Sequence, residues 1–579
     1  MAATTPKNDK FLNLSIAGFK DKLSTNRFVG TDYLSEPFRY EVFAHTSLKN
    51  TFDNLIGCAA CLTLTADNQA IHYFHGLINQ VTVHKTNLQG LSEYKITLVS
   101  WLEQLKKTHT NRIFIQKTPR EILQTVFSSY KNAHYDLSFL AGGDQTLDYF
   151  VQYQESDFNF ISRLLEKEGF FYYFIHNEEG YQLIIADQNS AYNVTDVQLS
   201  YNKSTAHTSE IKNWEHNYQL TNNKIQQSDY NFLNPHNLML HQAGANRGSL
   251  TLQPSYIYPG DYQDDKTGAH LTMLRANQAE LSSHLISATT HEAALSAGSK
   301  FKVIKHESVH EQGSYVALSV HHQAQDASSA FSEEKLSSPN EKPKYFNQIT
   351  CMVANRLFYP ALNTTKPIIA GSQTGTVTGP EGEEIYTDEY GRVQVAFNWL
   401  QNNGQTTAKS YWVRVSQHWA GKSWGLQFIP RIGDEVIISF ENGDPSRPMI
   451  LGSAYNAHNL PPYPLPDSSS KSGIKTRSTL NGDASQYNEF SFEDLTDAEK
   501  IRIHAQKDFK TDVNFNQHIV VKNNHQTLVK EGNQYTTIAK GKAELVASKL
   551  ISLKTGDSVL SITAQGISLS AAKIQVNQN

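Results

Sequence analysis

The stretch ISLKTGDSVLSITAQGISLSAAKIQV, residues 551–576, decides how this chain is read. It is a ladder of apolar pairs: Ile551-x-Leu553, Leu560-x-Ile562, Ile567-x-Leu569 and Ile574-x-Val576. Each pair has period two, so each predicts a short strand with one apolar face. Gly556 and Gly566 punctuate the series, and two similar pairs, Ile501-x-Ile503 and Ile519-x-Val521, lie upstream. No amphipathic helix lies among them. A thin sheet alone leaves its apolar face in water. Several identical chains wound together solve this, each covering the others. The ladder therefore predicts a narrow rod with Ile551, Leu553, Leu560, Ile562, Ile567, Leu569, Ile574 and Val576 toward its core. A rod is a mechanical part rather than a catalyst. Strands stacked across its axis at about 4.8 Å, with roughly eight residues per rung, predict nine or ten rungs and a length on the order of 45 Å. The last rung, near Ile574-Gln575-Val576, leaves an open edge.

The totals frame this reading. At 579 residues the chain exceeds one core, and three to five domains are expected. Charged residues make up 18% and the net charge is only −5, which gives no reason to expect nucleic-acid or membrane binding. The 28 tyrosines and 28 phenylalanines favour strands. Three cysteines form no disulfide framework and fit a reducing compartment. The opening MAATTPKNDKF has no apolar core of a signal peptide, and no run approaches the roughly 20 apolar residues of a membrane helix. An exported protein of this kind would need a route that reads no such signal.

Working back from the ladder, LPPYPLPDSSSKSG (460–473) reads as a hinge. Before it, residues 366–458 hold five strand candidates: Val393/Val395/Phe397, Tyr411/Val413/Val415, Leu426/Phe428, Val436/Ile438/Phe440 and Met449-Ile450-Leu451. Turn residues such as Asn442-Gly443-Asp444-Pro445 separate them, as in a small Greek-key barrel. Glu333–Lys344 reads as a linker. The N-terminal half is mostly strands. A helix opens at the capping box Thr118-Pro119-Arg120-Glu121, another runs from Ser156 to a stop at Gly169, and a helical interlude is expected near 270–288.

Four features invite a chemical reading. His306-Glu307-Ser308-Val309-His310 is a literal HExxH, but strand patterns flank it and a loop does not hold the i, i+4 geometry that a zinc site needs. Cys58-Ala-Ala-Cys61 is a lone CxxC running into a strand, where i and i+3 point to opposite faces. His321-His322 reads as ordinary strand histidines, and Glu383-Glu384 as a solvated pair. Trp412, Trp419 and Trp424 could form a sugar platform; core and loop packing is the expectation for them. No catalytic residue, metal ligand or cofactor site is assigned.

The block Tyr411-Trp412-Val413-Arg414-Val415, Trp419-Ala420-Gly421, Trp424-Gly425, Pro430-Arg431-Ile432-Gly433-Asp434-Glu435-Val436 and Phe440-Glu441-Asn442-Gly443-Asp444-Pro445 resembles the VgrG spike proteins of type VI secretion systems. These are similar in turn to contractile phage tail hubs and spikes. Asp388-Glu389-Tyr390-Gly391-Arg392-Val393, Asn488-Glu489-Phe490-Ser491-Phe492-Glu493-Asp494, Gln154-Glu155-Ser156-Asp157-Phe158, Glu168-Gly169-Phe170-Phe171-Tyr172-Tyr173 and Tyr258-Pro259-Gly260 also fit, in the family's order. Two departures stand out: Ser446 where an acid is frequent, and Asp497-Ala498 where glycine is common.

The resemblance implies a mainly β protein with a few helices. It would comprise a multi-domain, phage-hub-like base of β-barrels with helices (1–345), an OB-fold barrel (346–458), a hinge (459–487) and a trimeric β-helix needle (488–579). It implies a structural homotrimer, not an enzyme, seated on a hexameric Hcp-type tube and contacting baseplate proteins. A PAAR-type cap would sit at the needle tip, near Ile574–Val576, and effectors or adaptors would be carried. It implies residence in the bacterial cytoplasm before firing and injection without a signal peptide, with no nucleic acid and no stable membrane insertion. A prophage or bacteriocin tail hub is the alternative setting, and an HExxH metallopeptidase the less favoured one. The sequence ends three residues past Val576, which leads to the expectation of a bare tip with any toxic activity on a separate protein.

Overall fold

The computed structural model describes residues 11–19, 23–46, 52–66, 69–86, 92–201, 210–244, 252–326, 344–403 and 411–576. The first ten residues, and all of the expected linker but Lys344, lie outside them. The chain divides into two compact units, Met1–Arg502 and Ile503–Asn579.

The first unit is organised by the long strand Gly313–Gln325, which serves two sheets at once. On one side it pairs with Ser24–Tyr33, which continues through Glu36–Thr46, Ser92–Val99, Gln69–Thr86, Ala59–Ala66 and Leu12–Ile16. Along the same edge, nearer its start at 313–316, it pairs with Ser299–Lys305, followed by Asn193–Tyr201, Glu210–Tyr218, His284–Thr290 and Lys344–Val353, the last of which lies along its opposite edge. Lys344–Val353 bonds back to Gly313–Gln325, so these six strands close into a barrel. Closure removes the free edges that would otherwise pair with strangers. Alternation builds the cores: Phe28, Tyr40, Val42 and Phe74 fill the first, and Phe301, Val320, Ile349 and Cys351 the second.

The strand Lys344–Val353 crosses the expected limit at 345. The six-stranded barrel therefore runs past it to Val353. Sequence reading placed the limit at the polar, proline-bearing segment and had no sign that the next strand closes the earlier barrel.

The helices form where local signals put them. Thr118 and Glu121 make the reciprocal capping box of Pro119–Phe127. Ser156 caps Asp157–Glu168, and Gly169 stops it at φ 75°. The helix Asp265–Leu281 starts several residues ahead of the expected 270–288, because its apolar residues form no clean stripe. Residues 284–290 are a strand instead.

The barrel is closed in the order Gln373–Thr378, Val393–Phe397, Tyr411–Val415, Pro448–Ala454, Glu435–Phe440. Gln373–Thr378 escaped sequence reading because its alternation is between hydroxyls and small residues. Leu426 and Phe428, read as a strand, lie outside any. The expected hinge 459–487 is not a plain linker either: Lys471–Lys475 pairs antiparallel with Glu489–Glu493. Asp497, where glycine is common, takes φ 65°, the left-handed conformation that glycine adopts most readily.

Among the described residues, no helix is long and apolar enough to cross a membrane.

Candidate functional site

Residues Ile551–Thr555, Ser558–Thr563 and Gly566–Ser570 form an antiparallel three-stranded meander. Its register sorts the side chains. Ile551 lies opposite Ile562, which lies opposite Ile567. Leu553 lies opposite Leu560, which lies opposite Leu569. These two cross-strand rows are two residues apart, so all six side chains share one face. The other face carries the row Ser552, Ser561 and Ser568, and beside it Lys554, Val559 and Ser570. Ile567 is 70% exposed and Leu553 59% exposed, so the apolar face is uncovered within one chain.

Leu553, Leu560, Leu569 and Ile574 line a hollow of about 420 Å³ on this unit. Covering the face is worth about 1.5–3 kcal/mol per fully buried side chain, hence on the order of 10 kcal/mol per chain. An isolated three-stranded meander without such cover is at the margin of stability.

Six of the eight residues expected in a rod core are thus brought together. Ile574 and Val576 belong to no strand of the single chain, and neither does Ile519-x-Val521. Residues 505–550 carry no strand at all, so a nine- or ten-rung ladder is not formed by one chain by itself. A strand needs a hydrogen-bonded neighbour, and a segment that must find one on another molecule shows none alone.

The second feature is the seat of the small barrel on the base, inside Met1–Arg502. The two-stranded sheet of His109–Lys117 and Leu147–Ser156 supplies the seat. Tyr149 stacks on Tyr411 at 4.0 Å, and the Tyr153 hydroxyl accepts a hydrogen bond from Gln373 Nε2 at 2.7 Å. Ile113 packs against the barrel core.

A buried ion pair pins the other side. Arg447 donates two hydrogen bonds to Asp229, at 2.8 and 2.6 Å, in a bidentate fork. The Asp229 side chain is fully buried and also accepts from the backbone N–H groups of Asp261 and Tyr262.

The Gln154–Phe158 motif has a structural task in this seat. Asp157, fully buried, accepts hydrogen bonds from Thr110, Arg112, Tyr130 and Gln152. Glu155 is gripped by Arg163.

A third cluster spans the junction of the open sheet and the six-stranded barrel of the base. The Tyr40 hydroxyl donates to Asp32 at 2.5 Å, and His322 Nε2 lies 3.2 Å from the other carboxylate oxygen. His322 Nδ1 lies 2.6 Å from the Tyr345 hydroxyl. His176 lies 3.4 Å from the Tyr40 hydroxyl, and the ring of His72 stacks near His322. Burial, reinforced by His322 and His176, pushes His72 down to about 3. Burial likewise pushes His176 down to about 4, against the pull of Asp32.

Both histidines bind a proton more readily in the unfolded chain. Their contribution is complete above the ordinary histidine value of 6.5 and is lost as pH falls toward 4. The loss is about 1.4 kcal/mol per pH unit for each histidine. The thermal unfolding midpoint is therefore expected to drop between about pH 7 and pH 5. His176→Leu is expected to flatten that slope in circular-dichroism melts, and a wild-type midpoint insensitive to pH would contradict this reading.

The chemical-looking motifs do not converge. His306–His310 sits between strands Ser299–Lys305 and Gly313–Gln325 and contains a single 3-10 turn, Val309–Glu311. His306 packs on Tyr201 at 4.6 Å while Glu307 and His310 are exposed. Cys58 bonds to the Asn54 carbonyl, and Cys61 lies 3.5 Å from His75 Nε2. Glu384 is not simply solvated: it accepts from the Asn481 backbone N–H at 2.8 Å and pairs with Arg431. Trp412 packs on Tyr386, but Trp419 and Trp424 depart from the expected packing role and stand in solvent.

Comparison with known proteins agrees with this layout. Residues 31–328 match the phage tail baseplate hub (GPD) family. Residues 370–455 match the type VI secretion system/phage-baseplate injector OB domain, and 472–566 the bacteriophage T4 gp5 C-terminal trimerisation domain. The chain is 30% identical to the type VI secretion system spike protein VgrG1a of Pseudomonas aeruginosa, over 84% of this chain and 76% of that protein. It is 31% identical to VgrG1b of the same organism, over 84% of this chain and 66% of that protein. It is 32% identical to the actin cross-linking toxin VgrG1 of Vibrio cholerae, over 98% of this chain and 50% of that protein. The chain thus spans between half and about three quarters of the length of these relatives.

Among solved structures, the E. coli c3393 protein superposes with a TM-score of 0.55 at 18% identity, covering 76% of this chain and all of that one. A chain of the Francisella PdpA-VgrG complex gives 0.58 at 10% identity, over 96% of this chain and 79% of that one. Both likenesses concern the fold. With the hub, barrel and trimerisation regions matched in order and spike proteins aligned over most of its length, the chain belongs to the VgrG family of type VI secretion system spike proteins.

Proposed function

We propose that three copies of this chain form the puncturing spike of a type VI secretion system. The observation that carries this reading is the uncovered apolar face of Ile551, Leu553, Leu560, Ile562, Ile567 and Leu569. Three such faces turned toward a common axis make a closed, dry core with the serine rows outward. Ile574 and Val576 extend that core toward the tip. The base sits on a hexameric Hcp-type tube, against the baseplate, and the distal end takes a PAAR-type cap. Effectors or adaptors travel with the spike, which waits in the cytoplasm and leaves through the apparatus.

The work of such a part is mechanical: it transmits an axial push from tube to tip. The seat of the barrel on the base supports this, since aromatic stacking and a buried ion pair resist shear better than a flexible tether. The test is delivery. A strain lacking the chain is expected to stop releasing tube protein into the medium and to recover with the wild-type chain. Recovery with Leu569→Asp as well would remove the support for the shared apolar core.

A further inference from the structure

Two of the chain's six tryptophans stand in water on one small hairpin. Ala420–Gly421 pairs with Trp424–Gly425, and Leu426 N–H donates to the Trp419 carbonyl at 2.8 Å. This register puts Trp424 opposite Gly421 and Leu426 opposite Trp419, so both tryptophans and Leu426 share one face. Phe428 follows two residues on and is tied back through Gln417, whose side-chain amide bonds both its N–H and its carbonyl.

Exposure is 59% at Trp419, 58% at Trp424, 44% at Leu426 and 51% at Phe428. The two indoles meet edge to face at 5.2 Å. The backbone makes room for them: a Cβ on Gly421 would come within 2.3 Å of the Trp424 ring, and one on Gly425 within 2.3 Å of the Trp419 carbonyl oxygen. Four large apolar side chains held in a fixed array are a built surface, not a loose loop.

The hairpin's place in the fold indicates what covers it. Just beyond Phe428, Arg431 donates to the Arg477 carbonyl at 2.8 Å and pairs with Glu384, which holds the Asn481 N–H. Arg477 and Asn481 lie in the region matching the trimerisation domain. The hairpin is thus rooted where the matched region begins, and where three copies must converge.

We propose that the Trp419–Trp424 hairpin is a clasp between protomers, its apolar face packed on a neighbouring copy of this chain at the root of the trimerisation region. A threefold contact is heterologous, so the receiving surface is a different one. The exposed cross-strand pair Ile474 and Phe490, on the hairpin at that same root, offers a surface of this kind. The clasp rests on the trimeric reading above.

The test is residue-resolved oxidative footprinting of the full chain, read by mass spectrometry, with solution mass measured on the same sample. A trimer in which Trp419 and Trp424 are shielded, relative to the same residues in the denatured chain, supports the clasp. A trimer in which both oxidise freely overturns the clasp and leaves the trimer intact. A monomer overturns both. As a second measurement, Trp419→Ala/Trp424→Ala is expected to raise the concentration at which trimers dissociate by roughly 30-fold or more, the scale of a tryptophan hot spot. Unchanged dissociation overturns the clasp.

Discussion

Replacing Leu569 with aspartate is expected to leave the chain monomeric. Leu569 lies opposite Leu560 on the apolar face, and threefold symmetry would bring three copies of the new carboxylate together in a water-free core. Each would lose its hydration without gaining a cation, at several kcal/mol per charge. Counted per chain, that cost and the lost burial of the leucine together remove most of the roughly 10 kcal/mol that the face supplies. Ser568→Asp is the matched control. It is the neighbouring residue on the same strand, on the serine face. Its carboxylate would stay in solvent, and assembly is expected to survive. Sedimentation or native mass spectrometry of the two variants reads the outcome directly. The reverse pattern, with Ser568→Asp dissociating and Leu569→Asp assembling, would invert the assignment of faces.

The second large effect is expected at the seat. Arg447→Met removes both hydrogen bonds to Asp229 and leaves a fully buried carboxylate without its cation. Breaking a buried pair from one side typically costs about 3–5 kcal/mol. The midpoint of denaturant unfolding of the full chain is expected to fall accordingly, and small-barrel tryptophan signals are expected to melt before the base. Arg447→Met combined with Asp229→Asn leaves no orphan charge, keeps an amide oxygen for the Asp261 and Tyr262 N–H groups, and is expected to recover part of the loss. If the single variant unfolds like wild type, the fork is not what pins the barrel to the base.

How much of this was legible in the sequence depends on the range over which each signal acts. The capping box at Thr118–Glu121 and the Gly169 stop are local, and the structure matches them residue for residue. The period-two pairs at 551–569 were readable as strands for the same reason. That they form one meander with all six side chains on one face followed only from the register, which the turns at Gly556 and Gly566 set. Residues 519–521 carry the same local signal and form no strand, because a strand also requires a neighbour. The Arg447–Asp229 fork joins residues 218 apart and leaves no local trace. The same holds for Asp32 and His322, 290 apart, whose histidine partner read as an ordinary strand residue. Trp419 and Trp424 were misread because a tryptophan's size predicts burial, while a glycine-shaped hairpin can hold it outside.

The most direct measurement is the mass of the intact chain in solution, by native mass spectrometry or light scattering. A species of three times 65.1 kDa, persisting on dilution, is the predicted result. A well-folded species of 65.1 kDa at the same concentrations would contradict the trimeric spike, because the apolar face at 551–569 would then be stable in water with nothing covering it.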